Sequence, residues 1–161
     1  MMTGKEDLLR ALIEAYLMEK GTRIFYSDAA AKASKAEAKK MFAELSDWEE
    51  KHMDFIQYLY QAFEDDRDIK NFEDFRDMTD APVAESGIPV KELEAKIEKY
   101  DFDNDEAAMR IALETEGKAY NLYRRLSAEA PDSNAQVVFK EMMEQELKHI
   151  DYLKKMGAKI A

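Results

Sequence analysis

The chain has 161 residues, no cysteine and a formal net charge of −11, with 37% charged and 46% hydrophobic residues. That length suits one domain over residues 1–161 with a real apolar core, and five glycines with three prolines favour long amphipathic helices over sheet. The missing cysteines exclude disulfides, thiolate metal sites and thiol nucleophiles, and the acidity argues against nucleic acid or anionic membranes as partners.

The first residues, Met1 to Asp7, lack the apolar run of a signal peptide, and no stretch reaches membrane-spanning length. A cytoplasmic location is the expectation. Apolar residues at helical spacing (Leu9, Leu12, Ile13, Tyr16, Leu17, Ile24 and Phe25) predict a first helix from about Lys5 to Lys32. The segment Ser34-Lys-Ala-Glu37 has the form of a capping box and opens a second helix, about Lys35 to Glu64. Its expected core positions are Met41, Phe42, Leu45, Trp48, Phe55, Ile56, Leu59 and Phe63.

An acidic connection follows, Asp65 to about Phe102, with a short helix expected near Val90 to Tyr100. A third helix starts at the capping cluster Asp103-Asn-Asp105 and reaches about Ala130. Pro131-Asp-Ser133 pairs a helix-stopping proline with an N-cap candidate. The fourth helix is expected from about Ser133 to Met156, closed by Gly157. The elements make an all-α bundle of two antiparallel hairpins joined by one long crossover, which is the mark of the ferritin-like four-helix bundle.

The sequence also repeats itself. His52 and His149 are the only histidines; each follows a glutamate by three residues, Glu49 and Glu146. A further glutamate stands thirty residues upstream of each pair, Glu19 and Glu116, so the two copies are offset by 97 positions. Outside these residues the same offset aligns Ala11 with Ala108, Tyr26 with Tyr123, Phe42 with Phe139 and Asp54 with Asp151.

Residues three apart on a helix share a face, so each Glu-x-x-His presents two donors to one space. Ser34 and Pro131 lie midway within the two thirty-residue spacings. In antiparallel hairpins turning at these breaks, each glutamate pair meets roughly 22 Å from its turn. Two packed hairpins then bring Glu19, Glu49, His52, Glu116, Glu146 and His149 to one layer. Four carboxylates and two imidazoles suit a pair of iron ions, with manganese or zinc also accepted. Glu49 and Glu146 are the expected bridges, with the other four terminal. Without metal, mutual repulsion is expected to raise the pKa values of the four acids.

Glu50, Glu114 and Glu14 fall out of this register and are expected at the surface. Tyr26 and Tyr123 each follow a single glutamate by seven residues. They are candidates for hydrogen-bond donors behind the ligands or redox-active phenols, with plain core burial as the alternative. The run from Phe55 to Tyr60 is expected in the core or at a dimer interface.

The segments Glu19-Lys-Gly-Thr-Arg-Ile-Phe-Tyr26, Glu49-Glu-Lys-His52, Glu116-Gly-Lys-Ala-Tyr-Asn-Leu-Tyr123 and Glu146-Leu-Lys-His149 resemble the rubrerythrin family of the ferritin-like superfamily. The resemblance implies a di-iron bundle, usually dimeric, in a family whose members often reduce hydrogen peroxide. Rubrerythrins proper add a rubredoxin domain with four cysteines, absent from this sequence, and an extra glutamate where this chain has Ala119. The six-ligand set is closer to the symmetric site of bacterioferritin.

Three functions follow as expectations. The first is a di-iron oxidoreductase reducing hydrogen peroxide with electrons from a separate donor, such as a rubredoxin-like protein. The second is a ferroxidase that handles iron with O₂. The third is a metal-free helical interaction protein.

Overall fold

The computed structural model describes residues 4–65, 104–131 and 133–160. Four helices account for nearly all of them: α1 (Lys5–Lys32), α2 (Ala36–Glu64), α3 (Asp105–Glu129) and α4 (Ser133–Ile160). Among the described residues there is no strand, and no helix is long and apolar enough to cross a membrane.

The fold is an all-α four-helix bundle. α1 packs on α2 and α3 on α4, and the two hairpins meet through α1 against α3 and α2 against α4. Lys5 Nζ donates to the Glu64 carbonyl at one end, while the Ser34 and Lys35 amides bond Asp105 at the other. The residues that the α2–α3 connection must join, Glu64 and Asp105, therefore lie at opposite ends of the bundle. The connection and its expected short helix lie outside the described residues.

Apolar residues form two half-cores with a polar layer between them. One gathers Leu8 to Tyr16, Met53 to Phe63, Ala119 to Ala130 and Ala135 to Met142. The other gathers Phe25 to Ala33, Ala38 to Leu45, Ala108 to Ala112 and Leu153. On every helix the candidate ligands fall in the gap between these two sets. Apolar side chains such as Leu12, Phe42, Phe55 and Phe139, each 0–1% exposed, close the layer off from water along the bundle axis.

Helix ends show where local reading stops. Asn104 caps α3 as expected, its side chain accepting from the Ala107 amide at 2.8 Å. The capping box at Ser34 does not form. α2 starts at Ala36 with Lys35 at its N-cap and no side-chain cap. Instead the Asp105 carboxylate accepts from the Ser34 amide at 3.0 Å and the Lys35 amide at 3.1 Å. A residue from the other hairpin thus satisfies this turn and ties the hairpins together. Asp105→Ala is expected to cost about 1 kcal/mol, within the usual range for a lost cap. Urea unfolding of the metal-free protein would measure it; an unchanged midpoint would show that the tie adds nothing.

One further expectation, the end of the fourth helix, is corrected. α4 runs through Gly157 to Ile160. A β-carbon at Gly157 would stand 3.0 Å from Met109 Cε, so the glycine serves close packing against α3, not helix termination. Ile24 is 41% exposed, on the outer side of α1, while the adjacent Phe25 and Tyr26 turn inward.

Candidate metal centre

Each helix contributes to the polar layer: Glu19 from α1, Glu49 and His52 from α2, Glu116 from α3, Glu146 and His149 from α4. All six are buried, none more than 3% exposed. They form two four-residue groups, Glu19, Glu49, His52, Glu146 and Glu49, Glu116, Glu146, His149. Within each group one donor atom per residue lies within 4.8 Å of the others. Glu49 and Glu146 belong to both groups, and the remaining four residues to one each.

The sequence repeat appears here as an approximate two-fold axis. His52 Nδ1 stands 3.5 Å from Glu19 Oε2, 3.5 Å from Glu49 Oε2 and 3.3 Å from Glu146 Oε1. His149 Nδ1 stands 3.3 Å from Glu116 Oε1, 3.6 Å from Glu146 Oε2 and 3.1 Å from Glu49 Oε1. In both rings Nδ1 faces the carboxylates. The two rings stack with centroids 5.1 Å apart and planes inclined by 10°.

Tyr26 and Tyr123 are fully buried and do more than fill the core. Tyr26 OH donates to Glu116 Oε1 at 2.6 Å, and Tyr123 OH donates to Glu19 Oε1 at 2.6 Å. Each phenol reaches across to the glutamate of the other hairpin. The sequence put each tyrosine on the same helix face as its own Glu; the antiparallel meeting of α1 and α3 delivers it to the opposite one. Each phenol fixes one oxygen of a carboxylate and so orients the other.

The donor set can be tested on its own chemistry. Both oxygens of Glu49 and of Glu146, and Oε2 of Glu116, are buried and make no hydrogen bond among the described residues. Buried carboxylate oxygens in this state are costly unless a cation satisfies them. Four carboxylates also carry the charge that neutralises two divalent ions. The cluster is therefore able to bind metal.

The expectation that all four acids rise in pKa holds for two of them. Burial, then the charges of Glu19, Glu116 and Glu146, push Glu49 well above the usual carboxylate range. Burial, then Glu116 and Glu19, raise Glu146 to about 8. Glu19 and Glu116 move the other way. Burial opposes their ionisation, but the adjacent Glu49 carboxyl with the charge of His52 holds Glu19 low, and the adjacent Glu146 carboxyl with His149 holds Glu116 at about 2. Burial pulls His52 and His149 down, yet the adjacent carboxylates, Glu19 and Glu116 foremost, carry both well above the ordinary imidazole value. Burial and the same glutamates raise both tyrosines, so the phenols keep their protons.

Glu114 is exposed, while Glu50 and Glu14 have side chains 46% and 59% exposed, as the register requires. One neighbour went unnoticed in the sequence. Trp48, placed there in the core, is only half-buried, and its ring stacks on His149 at 5.1 Å. The available signal was its position beside Glu49, where the repeat puts Gln145 in the other half.

Four antiparallel helices that bury a layer of glutamates and histidines at mid-length define a ferritin-like carboxylate bundle. The family model described as Rubrerythrin matches residues 10–157, a span that holds both hairpins and all six cluster residues. The chain belongs to the rubrerythrin family, whose members are di-iron proteins. No curated protein and no solved structure gives a significant match.

Proposed function

We propose that this protein is a di-iron oxidoreductase that reduces hydrogen peroxide to water with electrons from a separate donor protein. The observation that carries the reading is the buried cluster in which Glu49 and Glu146 are shared by two donor groups. On this reading Glu49 and Glu146 would be shared by two irons, Glu19 and His52 would hold one of them, and Glu116 and His149 would hold the other. When bound, the iron pair supplies one electron per ion, so that peroxide with two electrons and two protons yields two waters.

The chain's own residues set the conditions. The two half-cores exclude bulk water from the layer, which strengthens every electrostatic contact inside it. Tyr26 and Tyr123 hold Glu116 and Glu19 in place through the crossed hydrogen bonds. Manganese or zinc would fit the same donors, but zinc has no redox chemistry and could not supply the proposed electrons. The sequence has no cysteine for a thiolate redox centre, which supports a separate donor such as a rubredoxin-like protein. Resemblance to dimeric family members supports a homodimer, and the cytoplasm is the proposed setting.

A second reading, a ferroxidase that oxidises iron with O₂, draws on one specific observation. The site is symmetric, and small buried Ala119 stands where rubrerythrins proper carry an extra glutamate. Rapid mixing of anaerobic Fe(II)-loaded protein with either oxidant separates the two, followed by the near-ultraviolet absorbance of oxidised iron. Oxidation of two irons per chain faster by peroxide than by O₂ is the expected result; faster oxidation by O₂ would replace it with the ferroxidase reading. If added Fe(II) left the thermal midpoint unchanged, neither would stand, because a ligand of the native state must stabilise it.

A further inference from the structure

An aromatic ladder leads out of the cluster past His149. His52 and His149 stack at 5.1 Å, His149 and Trp48 at 5.1 Å, and Trp48 and Tyr152 at 5.1 Å. The inclinations are 10°, 21° and 55°, so the first three rings lie nearly parallel and the last is tilted. Such centroid spacings mean direct ring contact. Burial falls along the series: both histidines are buried, whereas Trp48 and Tyr152 are partly exposed. At the outer end the Tyr152 hydroxyl donates to Glu44 Oε2 on α2.

The repeat shows that this ladder is not a by-product of the bundle. In the other half the positions of Trp48 and Tyr152 are held by Gln145 and Phe55. Glutamine has no ring, and the phenylalanine is fully buried and carries no hydroxyl to release a proton. The two halves match in all six cluster residues and in the crossed tyrosines, but differ in the residues that would connect the site to the surface.

The geometry points to Trp48 and Tyr152 as a one-electron relay between the cluster and the protein surface, with Glu44 as the proton acceptor. The relay rests on the peroxide-reducing reading and serves the case in which the site holds only one reducing equivalent. Peroxide needs two electrons; one comes from a single ferrous ion and the other from the Tyr152 phenol through Trp48. The O–O bond would break and two protons from solvent would complete two waters, iron(II) having supplied the first electron and Tyr152 the second. Tyr152 becomes a neutral radical as its proton passes along the existing hydrogen bond to Glu44. A one-electron donor at the surface then returns the electron, and Glu44 returns the proton. The alternative fate of a single ferrous ion with peroxide is a hydroxyl radical released inside the protein.

Chain loaded with one Fe(II) is mixed anaerobically with one equivalent of peroxide, frozen, and followed by electron paramagnetic resonance. A tyrosyl radical, identified by ring-deuterated tyrosine, is expected in the wild type and should be lost in Tyr152→Phe and in Trp48→Leu. Iron oxidation with a radical of equal yield in Tyr152→Phe, or with none in the wild type, overturns the relay and leaves the peroxide reading standing. A wild type whose iron is not oxidised overturns the peroxide reading, and a second measurement then decides the relay. In zinc-loaded protein the single tryptophan is oxidised by a flash-generated ruthenium(III) complex, without peroxide. Conversion of the Trp48 radical into a tyrosyl radical, lost in Tyr152→Phe, supports the relay; equal persistence of the Trp48 radical in both proteins overturns it.

Discussion

Replacing Glu146 with alanine is expected to remove tight binding of both metal ions at once, from two per chain to none. Glu146 Oε1 lies 3.3 Å from His52 Nδ1 and its Oε2 lies 3.6 Å from His149 Nδ1, so one side chain serves both halves. Without it each half keeps three candidate donors, and the remaining bridge, Glu49, holds the only shared carboxylate. Glu19→Ala provides the contrast, because Glu19 belongs to one group alone. That variant is expected to keep one ion. Metal content after dialysis, measured on protein shown to be helical by circular dichroism, distinguishes the outcomes. The stabilisation that metal gives should vanish with Glu146; at a free metal concentration a thousand times the dissociation constant it amounts to about 4 kcal/mol. Two ions retained by Glu146→Ala would sink the assignment of the bridge.

The second large effect is an exchange of protons for metal. In the metal-free protein the upward shifts of Glu49 and of Glu146, the latter to about 8, favour their protonated forms. The upward shifts of His52 and His149 favour imidazolium, and the downward shifts of Glu19 and Glu116 favour carboxylate. Two carboxylates against two imidazolium ions leave the cluster neutral. Two divalent ions on four carboxylates and two neutral imidazoles leave it neutral again. Metal must therefore displace the protons of Glu49, Glu146, His52 and His149.

Binding two Zn(II) ions at pH 7 is thus expected to release about four protons per chain. Calorimetry in two buffers of different ionisation enthalpy counts them, and the affinity for the pair should rise by roughly four orders of magnitude per pH unit below the raised pKa values. Release of fewer than two protons would show that the cluster is not neutralised in this way.

The same shifts fix how the metal-free protein responds to pH. Glu146 has a folded pKa of about 8 against 4.5 for an ordinary glutamate, so its contribution is fully present below 4.5 and lost as pH rises through 8. Glu49 and the histidines, also raised, act with the same sign. Glu116, lowered to about 2, contributes above 4.5 and loses that contribution as the pH falls towards 2. Metal-free protein should lose thermal stability as the pH rises from 5 to 9, a loss that bound zinc reverses because its protons have already left.

The sequence by itself determined the helices and the residues of the cluster. Periodic apolar positions place a helix wherever one stripe must be buried, a property of the segment alone, and α1 to α4 follow it closely. The doubled Glu-x-x-His was legible because residues three apart on a helix face one way whatever surrounds them. What the tertiary structure decided are contacts whose partners belong to different helices. Local sequence could offer Ser34 as a cap, but only the packing of α3 beside the first turn brings Asp105 to those amides. The tyrosines were legible as neighbours of Glu19 and Glu116, but their exchange of partners depends on α1 and α3 running antiparallel. Trp48 and Tyr152 are over a hundred residues apart and look like unrelated aromatic positions until α2 and α4 stack them. Helical period fixes the direction of a side chain relative to its own axis; which chemistry it meets depends on the neighbouring axis, and that is set when the apolar faces pack.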